Sequence, residues 1–221
     1  SLNVVATDNG TGSLTDTKAV TVTVTNVNEA PSITSGSTGS VAENAAISTV
    51  VYTATATDVD AGQTLSYSLT GTDAGSFDID ASTGVVTLKA SANYEAKASY
   101  SFNVVATDNG TGSLTDTKAV TVTVTNVNEA PTITSGATAS VAENAATSTV
   151  VYTAIATDVD AGQTLSYSLT GTDAGSFDID ASTGVVTLKA SANYEAKASY
   201  SFNVVATDNG TGSLTDTKAV T

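Results

Sequence analysis

Cysteine, histidine, methionine, tryptophan and arginine are all absent from this chain, and seven lysines face 22 carboxylates. Without cysteine there is no disulfide framework, zinc finger, iron–sulfur ligand or thiol nucleophile. Without histidine the commonest general base and transition-metal ligand is missing. A net charge of −15 leaves no basic patch to bind phosphate, which excludes nucleic acid as a partner. No apolar run approaches the ~18–20 residues of a membrane span. Neither an initiating methionine nor a leader precedes Ser1, so Ser1 reads as a point inside a longer chain.

What is present is β-forming. Hydrophobic residues make up 40% of the 221 positions. Valine, alanine and threonine dominate the periodic segments, and β-branched residues favour strands. Helical periodicity is scarce.

A repeat organises the chain. The segment starting Ser1-Leu2-Asn3-Val4-Val5 returns at 101 and again at 201. Aligning 1–121 on 101–221 leaves six differences: Leu2/Phe102, Ser32/Thr132, Ser37/Ala137, Gly39/Ala139, Ile47/Thr147 and Thr55/Ile155. A unit of about 100 residues holds its own core, so the period predicts a string of domains rather than a thin solenoid. The linker is placed at Asn26-Val27-Asn28-Glu29-Ala30-Pro31 and its copy Asn126–Pro131, because proline cannot continue a strand ladder. On that phase 1–29 are the C-terminal strands of one unit, 30–128 a complete unit, and 129–221 a second unit truncated in its last strand. A window on a long array accounts for this. A subunit whose ends complete a neighbour by strand addition is the alternative.

Within a unit the alternation predicts seven short strands: a broken one around Ile33 and Val41, then 51–57, 65–69, 77–79, 85–88, 100–106 and 120–124. Seven strands parted by Gly, Asp and Asn turns indicate an all-β, Greek-key sandwich. Its core is expected at Tyr67, Phe77, Leu88, Phe102, Val104, Val120 and Val122, with their copies 100 residues later.

Most carboxylates lie in loops. Taken singly they read as turn formers and solvated surface. Taken together they converge. Loops of a sandwich gather at its two ends, so Asp58, Asp60, Asp108 and the entering Asn28-Glu29 are expected at one pole. Glu43 and Glu95 belong at the other, beside the exit linker 126–129. Like charges this dense repel or shift their pKa values. A hard cation resolves the conflict, and calcium, which takes ~6–8 oxygens, suits a site of carboxylates and amide carbonyls. Transition metals lack their usual nitrogen and sulfur ligands here.

Other patterns are weaker. Asn9-Gly10-Thr11 matches a glycosylation sequon, but Asp-Asn-Gly is also a hairpin turn signal. The outward row Thr121, Thr123 and Thr125 resembles an ice-binding ladder and equally a solvated strand face. Paired carboxylates invite a glycosidase reading that no other feature supports, so no enzyme is expected.

The ordered set VAEN (41–44), ATDVDAGQTLSYSL (56–69), FDIDASTGVVTL (77–88), NYEA (93–96), VVATD (104–108) and NVNEAP (126–131) resembles the cadherin repeat. The resemblance is to the cadherin-like repeats of large bacterial surface proteins, and it covers essentially the whole period. It implies calcium between successive domains and an array made rigid by it. Carried over, the ligands of the complete junction are Glu43, Glu95, Asn126, the Val127 or Asn128 backbone, Glu129, Asp158, Asp160 and Asp208. Asn26, Asn28, Glu29, Asp58, Asp60 and Asp108 form half of an earlier junction. Glu143 and Glu195 lack an exit linker. The family often has Asp where Asn93 and Asn126 stand, and its linker commonly carries one more residue. Two or three ions per junction are therefore expected, with weaker binding. The resemblance implies a calcium-rigidified spacer of an extracellular bacterial adhesin or matrix fibre. A self-assembling or homophilic filament and a polysaccharide-binding module are the alternatives.

Overall fold

The computed structural model describes all 221 residues, and almost all of its regular structure is strand. In chain order these are β1 (Leu2–Thr7), β2 (Thr15–Val20), β3 (Ser32–Ile33), β4 (Thr38–Ala42), β5 (Val50–Thr53), β6 (Ala56–Thr57), β7 (Ser66–Thr70), β8 (Phe77–Ile79), β9 (Val85–Leu88), β10 (Ser99–Thr107) and β11 (Thr115–Thr125). The series returns as β12 (Thr132–Ile133), β13 (Val150–Thr153), β14 (Ala156–Thr157), β15 (Ser166–Thr170), β16 (Phe177–Ile179), β17 (Val185–Leu188), β18 (Phe202–Thr207) and β19 (Thr215–Val220). One compact unit comprises Ser1–Thr38, Tyr52–Thr87 and Ser101–Val120; the other comprises Gly39–Val51, Leu88–Tyr100 and Thr121–Thr221.

The second unit contains a whole copy of the period. Two three-stranded sheets, β13-β17-β16 and β15-β18-β19, line one core, and β12 pairs β14 beside them. Alternation decides the faces. Phe202, Val204 and Ala206 point inward from β18, and Val186 and Leu188 from β17. Aromatic rings fix the middle: Phe177 and Phe202 lie 4.7 Å apart in a tilted pair, and Tyr152 meets Phe202 edge-on at 6.2 Å. Asp216 is tied down too, accepting the Ile133 N–H at 2.8 Å, which binds β12 to the end of β19.

In the first unit β7 runs antiparallel to β10, with Leu69 opposite Val104 and Tyr67 opposite Ala106. Phe77, Val86, Phe102, Val104, Ala106 and Val120 are buried. The β1-β2 hairpin leaves Leu2, Val4 and Val5 about half exposed.

Four details differ from the sequence expectation. The strand expected over 51–57 is two strands, broken at Ala54 and Thr55. Ala54 N–H turns away to the Gly84 carbonyl at 2.9 Å, while Ala56 pairs with Ile33 of β3. Tyr67 is half-buried rather than in the core, because its hydroxyl reaches out to accept the Ala56 N–H at 3.1 Å. The Asp-Asn-Gly signal does not make a two-residue turn. The connection is wider, closed by the Asp108 N–H on the Leu114 carbonyl at 3.0 Å.

The fourth difference is the missing copy of β4, since 138–142 form no strand. The Ala139 N–H to Thr221 carbonyl bond and the Thr221 N–H to Ala137 carbonyl bond tie that segment to the end of β19. The side chain at 139 opposes a strand like β4. Gly39 lies so close to the Val51 carbonyl that a Cβ would collide with it, and the copy has alanine there. An apolar groove lined by Ala139, Val141, Phe177, Tyr200 and Phe202 results.

Candidate metal centre

Glu43 is built into place by its backbone. Its N–H bonds the Thr125 carbonyl at 3.0 Å, and the next N–H, of Asn44, bonds the Ala92 carbonyl at 2.9 Å. Asn44 then turns left-handed, φ 58°, a conformation asparagine tolerates better than most residues. This turn buries Glu43, 2% exposed. Its Oε1 accepts the Val127 N–H at 2.7 Å and its Oε2 the Tyr94 N–H at 2.9 Å. Glu95 comes from a single helical turn that Asn93 opens, with the Ala96 N–H on Asn93 Oδ1 at 2.6 Å and the Lys97 N–H on the Asn93 carbonyl at 3.0 Å.

Glu43, Glu95 and the linker's Glu129 each offer a carboxylate oxygen, all within 4.8 Å of one another. One Glu129 oxygen accepts the Asn44 amide at 2.6 Å. The Glu129 N–H reaches Asp160 Oδ2 at 2.8 Å. Asp160 is 5% exposed, and its own N–H closes an Asx turn on Asp158 Oδ1 at 2.9 Å. Asn128 donates to Asp208 Oδ2 at 3.0 Å. Asn126 is exposed and lines a polar cavity with Asn128, Asp160, Gln163, Asn209 and Gly210. The linker is therefore gathered with Glu43 and Glu95 on one side and Asp158, Asp160 and Asp208 on the other.

Three oxygens decide the chemistry. Glu129 Oε2, Asp158 Oδ2 and Asp160 Oδ1 are buried and accept no hydrogen bond. A carboxylate oxygen taken from water without a donor is destabilising, and folded proteins leave few such atoms. Their arrangement beside the Glu43, Glu95 and Glu129 group fits a hard divalent cation, which binds oxygen and prefers charge.

The first unit holds the copy of the linker half. Asn26 donates to Asp60 Oδ1 at 2.5 Å, the Glu29 N–H to Asp60 Oδ2 at 2.9 Å, and Asn28 to Asp108 Oδ2 at 2.8 Å. Asp58 Oδ2 is buried without a donor, as at Asp158. Asp60 differs from Asp160, because the Asn26 amide covers the oxygen that is bare on Asp160. That amide and the Glu29 N–H hold the Asp60 carboxyl below its ordinary pKa. Glu143, outside either linker site, is exposed and accepts the Tyr194 N–H at 3.4 Å. Sequence reasoning missed Asn44, although it lies within the VAEN motif, and Gln63 and Gln163, whose amides face the linkers.

Burial pushes the Glu43 carboxyl up, but the N–H groups of Val127 and Tyr94 outweigh burial and set it below the ordinary glutamate value. Its own backbone N–H draws Glu95 down. Loss of water, the proton shared with Glu43, and the charges of Glu43 and Glu129 override that and raise it. The signs are opposite. Glu43 contributes stability above its unfolded-state pKa, lost as pH falls through the folded value. Glu95 destabilises the fold as pH rises through its raised value. In a chelating buffer at pH 7, Glu95→Gln is expected to raise the melting temperature and Glu43→Gln to lower it. Both differences should shrink as pH falls, that of Glu95 first and that of Glu43 last, because its folded value is the lower of the two. Scanning calorimetry of the three proteins checks this, and equal shifts of one sign would contradict the assignment.

A family model described as Cadherin domain matches residues 37–125 and 137–221. Human Cadherin EGF LAG seven-pass G-type receptor 2 is 35% identical over 225 residues, covering 98% of this chain and 8% of the relative. Mouse Protocadherin Fat 4 is 33% identical over 214 residues, covering 93% of this chain and 4% of the relative. The chain thus spans less than a tenth of these relatives' length. The crystal structure of mouse Cadherin-23 EC22–24 superposes with a TM-score of 0.70 at 30% identity, covering 99% of this chain and 72% of that one.

Proposed function

The chain belongs to the cadherin domain family, and from that premise we propose that it is a calcium-rigidified structural segment of an extracellular adhesive array. Cadherin repeats are adhesion modules rather than enzymes. The tandem all-β repeats agree with an array, and no helix is long and apolar enough to cross a membrane. The domain boundaries we assign are those of the linker phase: 1–29, 30–128 and 129–221. The bacterial surface or matrix is the setting to which the motif resemblance points, while the curated relatives named above are animal proteins.

The observation that carries the reading is the set of bare, buried oxygens on Glu129, Asp158 and Asp160, adjoining the Glu43, Glu95 and Glu129 group. These five residues would hold the ion, with Asn126 and the linker carbonyls as neutral oxygen donors. Bound calcium supplies positive charge that relieves carboxylate repulsion and ties the linker to residues on both sides of it. In the chain itself, the Glu43 bond to Val127 N–H and the Asp160 bond to Glu129 N–H orient the linker for this. Extracellular modules commonly bind at ~10⁻⁴–10⁻³ M, so occupancy would track the calcium of the compartment.

The test is a calcium titration of the 221-residue chain against a chelator control. Melting temperature and radius of gyration are followed together. Both are expected to change over the millimolar range, with the ion raising the first and narrowing the distribution of the second. If neither moves, the bare oxygens hold no calcium and the reading falls.

A further inference from the structure

Gln163 follows the left-handed Gly162, φ 84°, and its Nε2 donates to Oδ1 of the linker residue Asn128. The other half of that amide, Asn128 Nδ2, donates to Asp208 Oδ2 at 3.0 Å. Asp208 is 3% exposed, and its Oδ1 is taken by the N–H groups of Gly210 and Leu214 at 3.0 and 3.1 Å. Both ends of the Asn128 amide and both oxygens of Asp208 are thus satisfied by the protein. Gly210 is part of the grip, because a Cβ there would collide with Asn128 Oδ1 and stand 2.7 Å from Gln163 Nε2. Glycine is needed for close approach rather than for its backbone angle.

The same grip recurs in the first unit. Gln63 donates to Asn28 Oδ1, Asn28 donates to Asp108 Oδ2 at 2.8 Å, and a Cβ on Gly110 would collide with Asn28 Oδ1. The grip is thus present at both linkers. It also contrasts with the adjoining corner, where Glu129, Asp158 and Asp160 keep bare oxygens. At one corner the Asn128 and Asp208 side chains have protein partners and only the neutral Gln163 Oε1 is left bare, whereas at the other the bare oxygens belong to carboxylates and lack a counter-charge.

We propose that Gln163 is a positioning residue that fastens the linker to the repeat following it, an amide N–H serving at the Asn128–Asp208 corner where an ion would otherwise bind. The linker then travels with the downstream repeat in the absence of calcium. Ions are confined to the corner of Glu43, Glu95, Glu129, Asp158 and Asp160, and Asn128 and Asp208 are not ligands. The confinement of the ions rests on the calcium reading above; the fastening does not.

Hydrogen exchange of the full chain in chelator tests the fastening. The Glu129 N–H, bonded to Asp160 Oδ2, reports on the linker. It is expected to be protected in the parent protein and to exchange about tenfold faster in Gln163→Ala. The amides of β18 should be unchanged, which shows that the fold persists. Gly210→Ala should speed the same amide. Equal Glu129 exchange in parent and Gln163→Ala would overturn the fastening.

Native mass spectrometry in calcium tests the confinement. Gln163→Glu removes the donor and adds a carboxylate, and it is expected to gain one ion at the junction around Glu129. No gain overturns that half. A parent chain that binds no calcium at all refutes the ion-site reading itself, while the exchange measurement in chelator still decides the fastening.

Discussion

Asp160→Ala is expected to weaken calcium binding at the junction around Glu129 by at least about a hundredfold, since even residues that merely support a ligand cost ~10–100-fold when removed. Asp160 does two things there. Its Oδ2 holds the Glu129 N–H at 2.8 Å, and its Oδ1 is buried and bare. The substitution therefore removes a negative oxygen from the ion and releases the backbone that presents Glu129. In chelator the same change should be mild. The fold loses one acceptor but is relieved of an uncompensated buried oxygen and of the charge that raises the Glu43 carboxyl. The pair of measurements is isothermal titration for affinity and melting temperature with and without calcium. A large loss of affinity with nearly equal chelator melting points is the expected pattern. Unchanged affinity would remove Asp160 from the site and with it the structural basis of the proposed function.

How much of this was legible in the sequence depends on the kind of interaction. Strand identity followed from alternation, because period two is a local property: Phe102, Val104 and Ala106 are buried as their spacing demands. The break at Ala54 was not legible, since it is caused by the Gly84 carbonyl thirty residues away. The convergence of loop carboxylates was readable from topology alone, as Glu43 on Val127 N–H and Asp160 on Glu129 N–H now illustrate. What topology cannot reveal is which oxygens the protein itself satisfies. Asp208 and Asp160 sit in loops of the same end and looked equivalent. One is filled by Gly210, Leu214 and Asn128, and the other keeps a bare oxygen. Gln163 drew no attention in sequence because an isolated glutamine carries no pattern, and its meaning arises only from the amide it touches. The contrast of Asn26 with Asn126, identical in local sequence, has the same origin. Asn26 covers Asp60 Oδ1 at 2.5 Å, whereas the corresponding Asp160 oxygen is bare.

Phe202→Ala is expected to destabilise the fold around 129–221 by about 3–5 kcal/mol, the range for truncating a buried aromatic ring. Phe202 is 4% exposed and stands at the meeting of both sheets, in ring contact with Phe177 at 4.7 Å and Tyr152 at 6.2 Å. Those neighbours come from β16 and β13, so neither collapses easily into the space without shifting its strand, and the cavity remains. Against a typical total of ~5–15 kcal/mol this is a large fraction. The consequence reaches the junction. β18 leads directly into Asp208, and β14 leads into Asp158 and Asp160, so loop geometry depends on strands that Phe202 holds apart. Calcium binding should therefore weaken in Phe202→Ala as well, but with a different signature from Asp160→Ala. The core variant loses melting temperature equally with and without calcium at low ion concentration, and saturating calcium restores part of it, because ligand binding stabilises the folded state by mass action. The ligand variant keeps its chelator melting temperature and gains nothing from the ion. Denaturant unfolding of both proteins at zero and ten millimolar calcium separates the two. A Phe202→Ala protein as stable as its parent would mean that the two sheets do not share the core described for them.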